Sequence, residues 1–216
     1  VPRTFDGEHL RAIHRHLFQD VYEWAGEYRT VEMSKGPGRG FGEVKTGEVD
    51  RYLSDARQLV TSTDWAKISR NDFVATASTV FAYVNQAHPF REGNGRTSKV
   101  FMAHVAEQSP YRFDFARVSP EQWNAGSAMS RPDMFAYAPE PASLVPVFAA
   151  VTVERTAPPA APDRAAQARS ALSASYPRPA SEATKQTPQQ GTQARPPSAG
   201  YRGPQMPGHG SNVGRD

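Results

Sequence analysis

The chain has 216 residues, a formal charge of +3 and no cysteine. That length bounds it to one ordinary domain plus an appendage, and the missing cysteine excludes disulfides and thiolate metal sites. No apolar run approaches the ~18 residues of a membrane span, and no signal-peptide pattern opens the chain. The chain starts on Val1 instead of Met, so a targeting or regulatory segment ahead of it would be invisible.

Charge is unevenly distributed. Eight Lys/Arg and three Asp/Glu lie from Arg155 onward, against 17 and 19 before it. The basic balance therefore belongs to the tail, and it does not argue for direct nucleic-acid binding.

In chain order, Leu10, Ile13, His14, Leu17, Phe18 and Val21 recur at three- and four-residue steps, which predicts a helix with Asp6 as its cap. Trp24-Ala25-Gly26 is expected to end it. Arg29-Thr30-Val31-Glu32-Met33 alternates, Gly36 to Gly40 is a turn signal, and Phe41 to Val44 returns. This predicts a small β-hairpin over 29–45.

Helices are expected again at 46–62 and at 70–87. In the second, Phe73, Ala77, Val80, Phe81 and Val84 share a face, with Asn71 or Ser69 as cap. Another is expected from about Arg96 to Gln108. One more opens at Ser119-Pro120-Glu121, and residues 140–154 are expected to form the last. From 157 onward Pro, Ala, Ser, Gln and Gly dominate. Such a segment cannot bury enough surface to offset its ordering entropy, so 157–216 is expected to be a disordered tail or linker.

The chemistry concentrates in residues 88–99, His-Pro-Phe-Arg-Glu-Gly-Asn-Gly-Arg-Thr-Ser-Lys. A helix beginning at Gly95 or Arg96 after a tight loop would turn the N–H groups of Gly93, Asn94 and Gly95 toward an anion. Arg96 can add a forked phosphate contact. Lys99, three residues on, projects from nearly the same face. Glu92 beside an anion makes sense if Mg²⁺ bridges it to phosphates. The unperturbed pKa of histidine lies near neutrality, so His88 suits a general base, while Phe90 is expected to point inward. The chemistry this predicts is in-line attack of a hydroxyl on a phosphate.

Taken singly these signals are weak. Asn-Gly is most often a hairpin turn, and the spacing fits neither the P-loop nor the dinucleotide fingerprint. Their combination at fixed offsets makes the case. His14, His16 and His104 are expected to be packing or surface residues, and Trp24, Trp65 and Trp123 core or anchoring ones. Lys35 and Arg39 either touch the target or nucleotide or sit on a solvated turn.

The 88–99 stretch resembles the signature of the Fic (filamentation induced by cAMP) family, His-x-Phe-x-Asp/Glu-Gly-Asn-Gly-Arg-x-x-Arg. Lys99 stands in place of the last Arg. Phe5 to Leu10, Asp20 to Arg29 and Ser34-Lys35-Gly36 resemble the N-terminal part of bacterial Fic toxins, and the later helices fit at Phe113-Asp114-Phe115 and Gln122-Trp123.

The resemblance implies an all-α fold, a Fic helical bundle with a β-hairpin flap over residues 1–156, followed by the tail. It implies a protein adenylyltransferase that moves AMP from ATP to a Ser, Thr or Tyr hydroxyl of a target protein. His88 would be the base and Glu92 the Mg²⁺ ligand. Gly93, Asn94, Gly95, Arg96 and Lys99 would hold phosphates, and Lys35, Gly36 and Phe41 would lie on the target-binding flap. Gly95 favours adenylyl transfer, because a relative acting as a kinase carries Lys there.

Such a protein would be a cytoplasmic bacterial toxin or an effector secreted into a host. Its target would be of the topoisomerase or host GTPase class. The sequence holds no inhibitory Ser/Thr-x-x-x-Glu-Gly/Asn helix: the element is absent, lies in a segment ahead of Val1, or is supplied by a small antitoxin, the preferred reading. Two other readings stay open: a nucleotide-binding interaction protein with weak catalysis, and an enzyme using another phosphate donor.

Overall fold

A computed structural model of the chain describes residues 1–35 and 40–155. The tail expectation for 157–216, and the expectations for Gly36 and Arg39, lie outside the described residues. Six α-helices dominate: α1 (Gly7–Phe18), α2 (Glu48–Ser62), α3 (Arg70–Ala87), α4 (Asn94–Ala106), α5 (Pro120–Met129) and α6 (Val145–Val151). The all-α expectation therefore holds.

The helices start where side chains can satisfy unpaired N–H groups. Asp6 accepts from His9 N at 3.0 Å, and Ser69 accepts from Asp72 N at 3.2 Å. Ser119 and Gln122 complete a capping box on α5. The first helix ends at Phe18, earlier than Trp24, and the chain turns through Gly26 at φ 86°.

Helix α3 runs through the middle. It packs on α2, α4 and α6, and ten of its residues are buried. Phe73, Phe81, Phe101 and Phe148 are at most 1% exposed, and Trp123 meets Phe81 edge-on at 4.9 Å. A buried Phe or Leu contributes about 1.5–3 kcal/mol, so these rings hold α3, α4, α5 and α6 in one core.

Two expectations change. Residues 140–154 are not one helix. A 3₁₀ turn at Pro141–Ser143 precedes α6, and the chain then extends as β2 (Thr152–Glu154), antiparallel to β1 (Tyr111–Phe113). The β-branched pair Thr152-Val153 suits a strand, and the Thr152 hydroxyl donates to Phe148 O at 2.6 Å, closing the last helical turn.

The 29–45 hairpin also lacks a ladder among the described residues. One backbone–backbone bond, Phe41 N to Met33 O at 3.0 Å, joins its arms, and the Glu32 carboxylate accepts from Val44 N at 3.1 Å. The physical reason is competition: Val31 O and Gly42 O accept from the Arg29 guanidinium, and Gly42 N donates to Gln86 O at 2.8 Å.

Candidate active site

His88 caps the C-terminal end of α3 in a left-handed conformation, φ 41° and ψ 56°. A non-glycine residue is uncommon in that region and keeps it only when its surroundings enforce it. Pro89 follows and stiffens the exit. Phe90 drives into the core at 0% exposure, stacking on His14 with ring centroids 3.9 Å apart.

His14 is a structural clamp. Its Nδ1 accepts from Gly26 N at 2.9 Å, which makes Nε2 the donor to Glu92 O at 3.1 Å. Burial lowers its pKa, the bond to Glu92 opposes this, and Arg96 adds to it, so the ring is neutral. The expectation of a packing role is met. Another histidine pair, His9 Nε2 and His104 Nδ1 at 2.9 Å, sits at the opposite end of α1's buried face.

The turn closes on itself. Asn94 Oδ1 accepts from Phe90 N at 3.0 Å, and Asn94 Nδ2 donates to Phe90 O at 2.7 Å. The Asn94 side chain therefore staples the loop and is not itself turned to an anion. Gly93 is the N-cap of α4 at φ 81°. A Cβ there would lie 2.6 Å from the Phe18 ring, so both conformation and space demand glycine. At Gly95 an added Cβ would meet nothing within 4 Å; glycine there leaves room.

The first intrahelical bond of α4 is Thr97 N to Gly93 O at 3.0 Å, so the N–H groups of Asn94, Gly95 and Arg96 come before the ladder. Gly93 N instead donates to Glu92 Oε1 at 3.0 Å. The predicted three-amide cradle is thus shifted by one residue toward the helix.

A cavity of about 360 Å³ opens on this corner, lined by His88, Asn94, Gly95, Lys35, Phe41 and Arg131 among others. Glu92, Gly93, Arg96 and Lys99 do not line it. Arg96 lies over the Phe18 ring at 4.5 Å, with Glu92 4.0 Å away. Lys99 instead lies over Trp123 at 4.7 Å and Phe115 at 5.4 Å. Their charged ends part toward different rings, although the residues are one turn apart. Burial lowers the Lys99 pKa.

The His88 imidazole is stacked face to face on Phe41, 3.7 Å between centroids and 11° from parallel. Nδ1 is buried without a well-formed hydrogen bond among the described residues, and the residue lines the cavity. Burial is the main reason its pKa falls to about 3. The Lys35 charge lowers it further, the Asn85 backbone opposes, and Arg29 adds a smaller push. The ring is therefore neutral at physiological pH, with a lone pair available but weakly basic.

Sequence reasoning missed Arg29, whose guanidinium is fully buried and donates to His88 O at 2.8 Å. It also missed Gln86, which donates to Gly40 O at 2.9 Å, and Arg131, which donates to Lys35 O at 2.7 Å. No spacing rule marks these, because their acceptors are backbone carbonyls far away in sequence.

Residues 4–106 match the family model for the Fic/DOC family. The chain is 38% identical over 121 residues to a probable protein adenylyltransferase of Sinorhizobium fredii, covering 55% of this chain and 61% of the relative. It is 34% identical over 131 residues to the protein adenylyltransferase VbhT of Bartonella schoenbuchensis, covering 60% of this chain and 27% of the relative. The chain thus spans less than two thirds of either relative's length. Among solved structures, the Fic domain of a Bartonella quintana effector with bound ADP superposes with a TM-score of 0.63 at 28% identity, over 72% of this chain and 76% of that one.

Proposed function

From the match of residues 4–106 to the Fic/DOC family model, we propose that the protein is an adenylyltransferase that modifies a protein hydroxyl. One observation carries the reading: a neutral imidazole, His88, on the wall of the cavity onto which the start of α4 opens. The adenylyltransferase names of the relatives and the ADP held by the superposing Bartonella quintana domain support it.

In this reading the phosphates of ATP lie at the N–H groups of Asn94, Gly95 and Arg96, where the helix dipole favours an anion. The target hydroxyl approaches beside Phe41 and Lys35. His88 Nε2 takes its proton as the oxygen bonds to the α-phosphorus. The bond from that phosphorus to the bridging oxygen breaks, and pyrophosphate leaves. The negative phosphates oppose the causes that depress the His88 pKa, so the ring becomes a better base once the nucleotide is bound.

Glu92 is exposed, and among the described residues no group of three or more His, Asp or Glu could hold a metal. That donor set fits a Mg²⁺ that arrives with the nucleotide: Glu92 offers one oxygen and the phosphates the others. The bound ion would neutralise phosphate charge. Lys99 makes no ion pair with a carboxylate among the described residues; a glutamate from a small antitoxin would fit that position. Co-purification with a small inhibitory protein from the native host tests this, and a fully active protein isolated alone contradicts it.

Two labelled nucleotides test the main reading. ATP labelled at the α-phosphate should mark a protein in a lysate, and ATP labelled at the γ-phosphate should not. Excess unlabelled UTP or CDP-choline that abolishes the signal would shift the reading to another donor. Nucleotide binding with no labelled band would make the protein a binding module. No described helix is long and apolar enough to cross a membrane.

A further inference from the structure

Arg29 is buried at its side chain to 0% exposure, which is unusual for a guanidinium. Its bonds divide into two sets. One set grips the end of α3: Nε donates to His88 O at 2.8 Å and Nη2 to Ala87 O at 3.4 Å. The Arg29 backbone N–H adds a bond to Pro89 O at 2.8 Å. The other set grips both arms of the 29–45 segment, with Nη1 donating to Val31 O at 2.7 Å and Nη2 to Gly42 O. Glu32, 3.7 Å from Nη1, balances the charge and itself accepts from Val44 N at 3.1 Å.

Three facts make this more than packing. The carbonyls of Ala87 and His88 lie at the α3 C-terminus, where helix carbonyls lack intrahelical donors and a cation is favoured. His88 itself is held left-handed, a conformation that a non-glycine residue keeps only when its surroundings enforce it. Phe41, next to Gly42, carries the ring that stacks on His88. One planar fork thus touches the backbone of the base and the backbone beside the ring that covers it.

We propose that Arg29 is a positioning residue that couples the chain at Val31 and Gly42 to His88, so that one side chain sets the distance between the edge receiving the target and the imidazole that deprotonates it. The coupling rests on the adenylyl-transfer reading for its role in turnover, but not for its structural effect. Arg29 touches neither cavity nor phosphate cradle, so its effect falls on the target and not on the nucleotide. A lysine would keep the charge but lose the fork; a methionine would lose both.

The test uses the full chain with Arg29→Lys and Arg29→Met. Hydrogen exchange reads the Phe41 and Gly42 amides, with Phe81 and Val84 in α3 as the core reference. Steady-state labelling reads KM for ATP and kcat/KM for the target. Arg29→Lys should speed exchange at Phe41 and Gly42 and leave Phe81 and Val84 as in wild type. Transfer to the target should fall by about tenfold or more, as small misplacements do, while KM for ATP stays within about twofold. Arg29→Met should exceed Arg29→Lys in both effects.

Unchanged exchange at Phe41 and Gly42 overturns the proposal. So does a loss shared equally by core amides, ATP and target, which marks a residue needed only for folding. If wild type labels nothing while Phe41 and Gly42 still respond, the adenylyl-transfer reading falls and the coupling stands.

Discussion

The turn between α3 and α4 and the segment 29–45 face the same imidazole, yet they are held in different ways. The turn is closed mostly by its own residues. Asn94 spans Phe90 with two bonds, Gly93 takes the left-handed angle, and Phe90 anchors in the core. The segment has a single backbone bond between its described arms; side chains do the rest, Arg29 and Glu32 from within it and Gln86 and Arg131 from outside. A self-closed turn suits a fixed charge cradle. A segment held by neighbouring side chains suits a surface that must admit a partner strand.

The strongest way to break this contrast is at the shared imidazole. His88→Ala should lower target labelling by about 10²–10⁴-fold, the usual worth of a general base, with ATP affinity retained. Labelling at the wild-type rate would remove His88 from the chemistry.

Next comes the turn itself. Gly93→Ala adds a Cβ against Phe18 at 2.6 Å and strains φ 81°. We expect about 2–4 kcal/mol of lost stability from strain plus overpacking, read as a lower denaturant midpoint. A midpoint equal to wild type would mean that the turn tolerates another shape. Gly95→Ala is the internal control, because its Cβ would meet nothing within 4 Å.

Much of the fold is legible in the sequence because it is local. Asp6 and Ser119 are caps that announce themselves, Ser69 is one of two candidates for its helix, and the apolar spacing of 70–87 gives α3 to within its ends. The end of the domain is not legible: 152–154 becomes a strand only because 111–113 offers it an edge. The site divides likewise. The residue types of 88–99 suggest an anion cradle, but not that Asn94 staples the loop, nor that Arg96 and Lys99 part toward different rings. Arg29 reads as one more position in an alternating stretch. Its importance comes from carbonyls 59 and 13 residues away, and no local pattern encodes that.

A smaller effect concerns acid. The folded pKa values of His9 and His88, about 4 and about 3, lie below their ordinary 6.5. Between 6.5 and those values the unfolded chain binds more protons than the folded one. Their contribution is therefore complete above pH 6.5 and is lost as pH falls toward 4 and then 3. The melting temperature should drop between about pH 7 and about pH 4.5, and His9→Gln should blunt the drop. A flat profile would contradict the buried, neutral state of both rings.

The finest probe is Phe41→Ala, which uncovers the imidazole without touching the turn. The His88 midpoint, followed by its ring resonances, should rise from about 3 toward 6.5 as water reaches it. An unmoved midpoint would mean that the stack on Phe41 does not shield the ring.

The most direct measurement follows backbone amide resonances of the full chain carrying His88→Ala, which blocks turnover, as ATP and Mg²⁺ are added. The account predicts that the amides of Asn94, Gly95 and Arg96 move first and furthest, with smaller shifts at Phe41 and Gly42. Saturating nucleotide that leaves those three amides still, while perturbing another part of the surface, would contradict it.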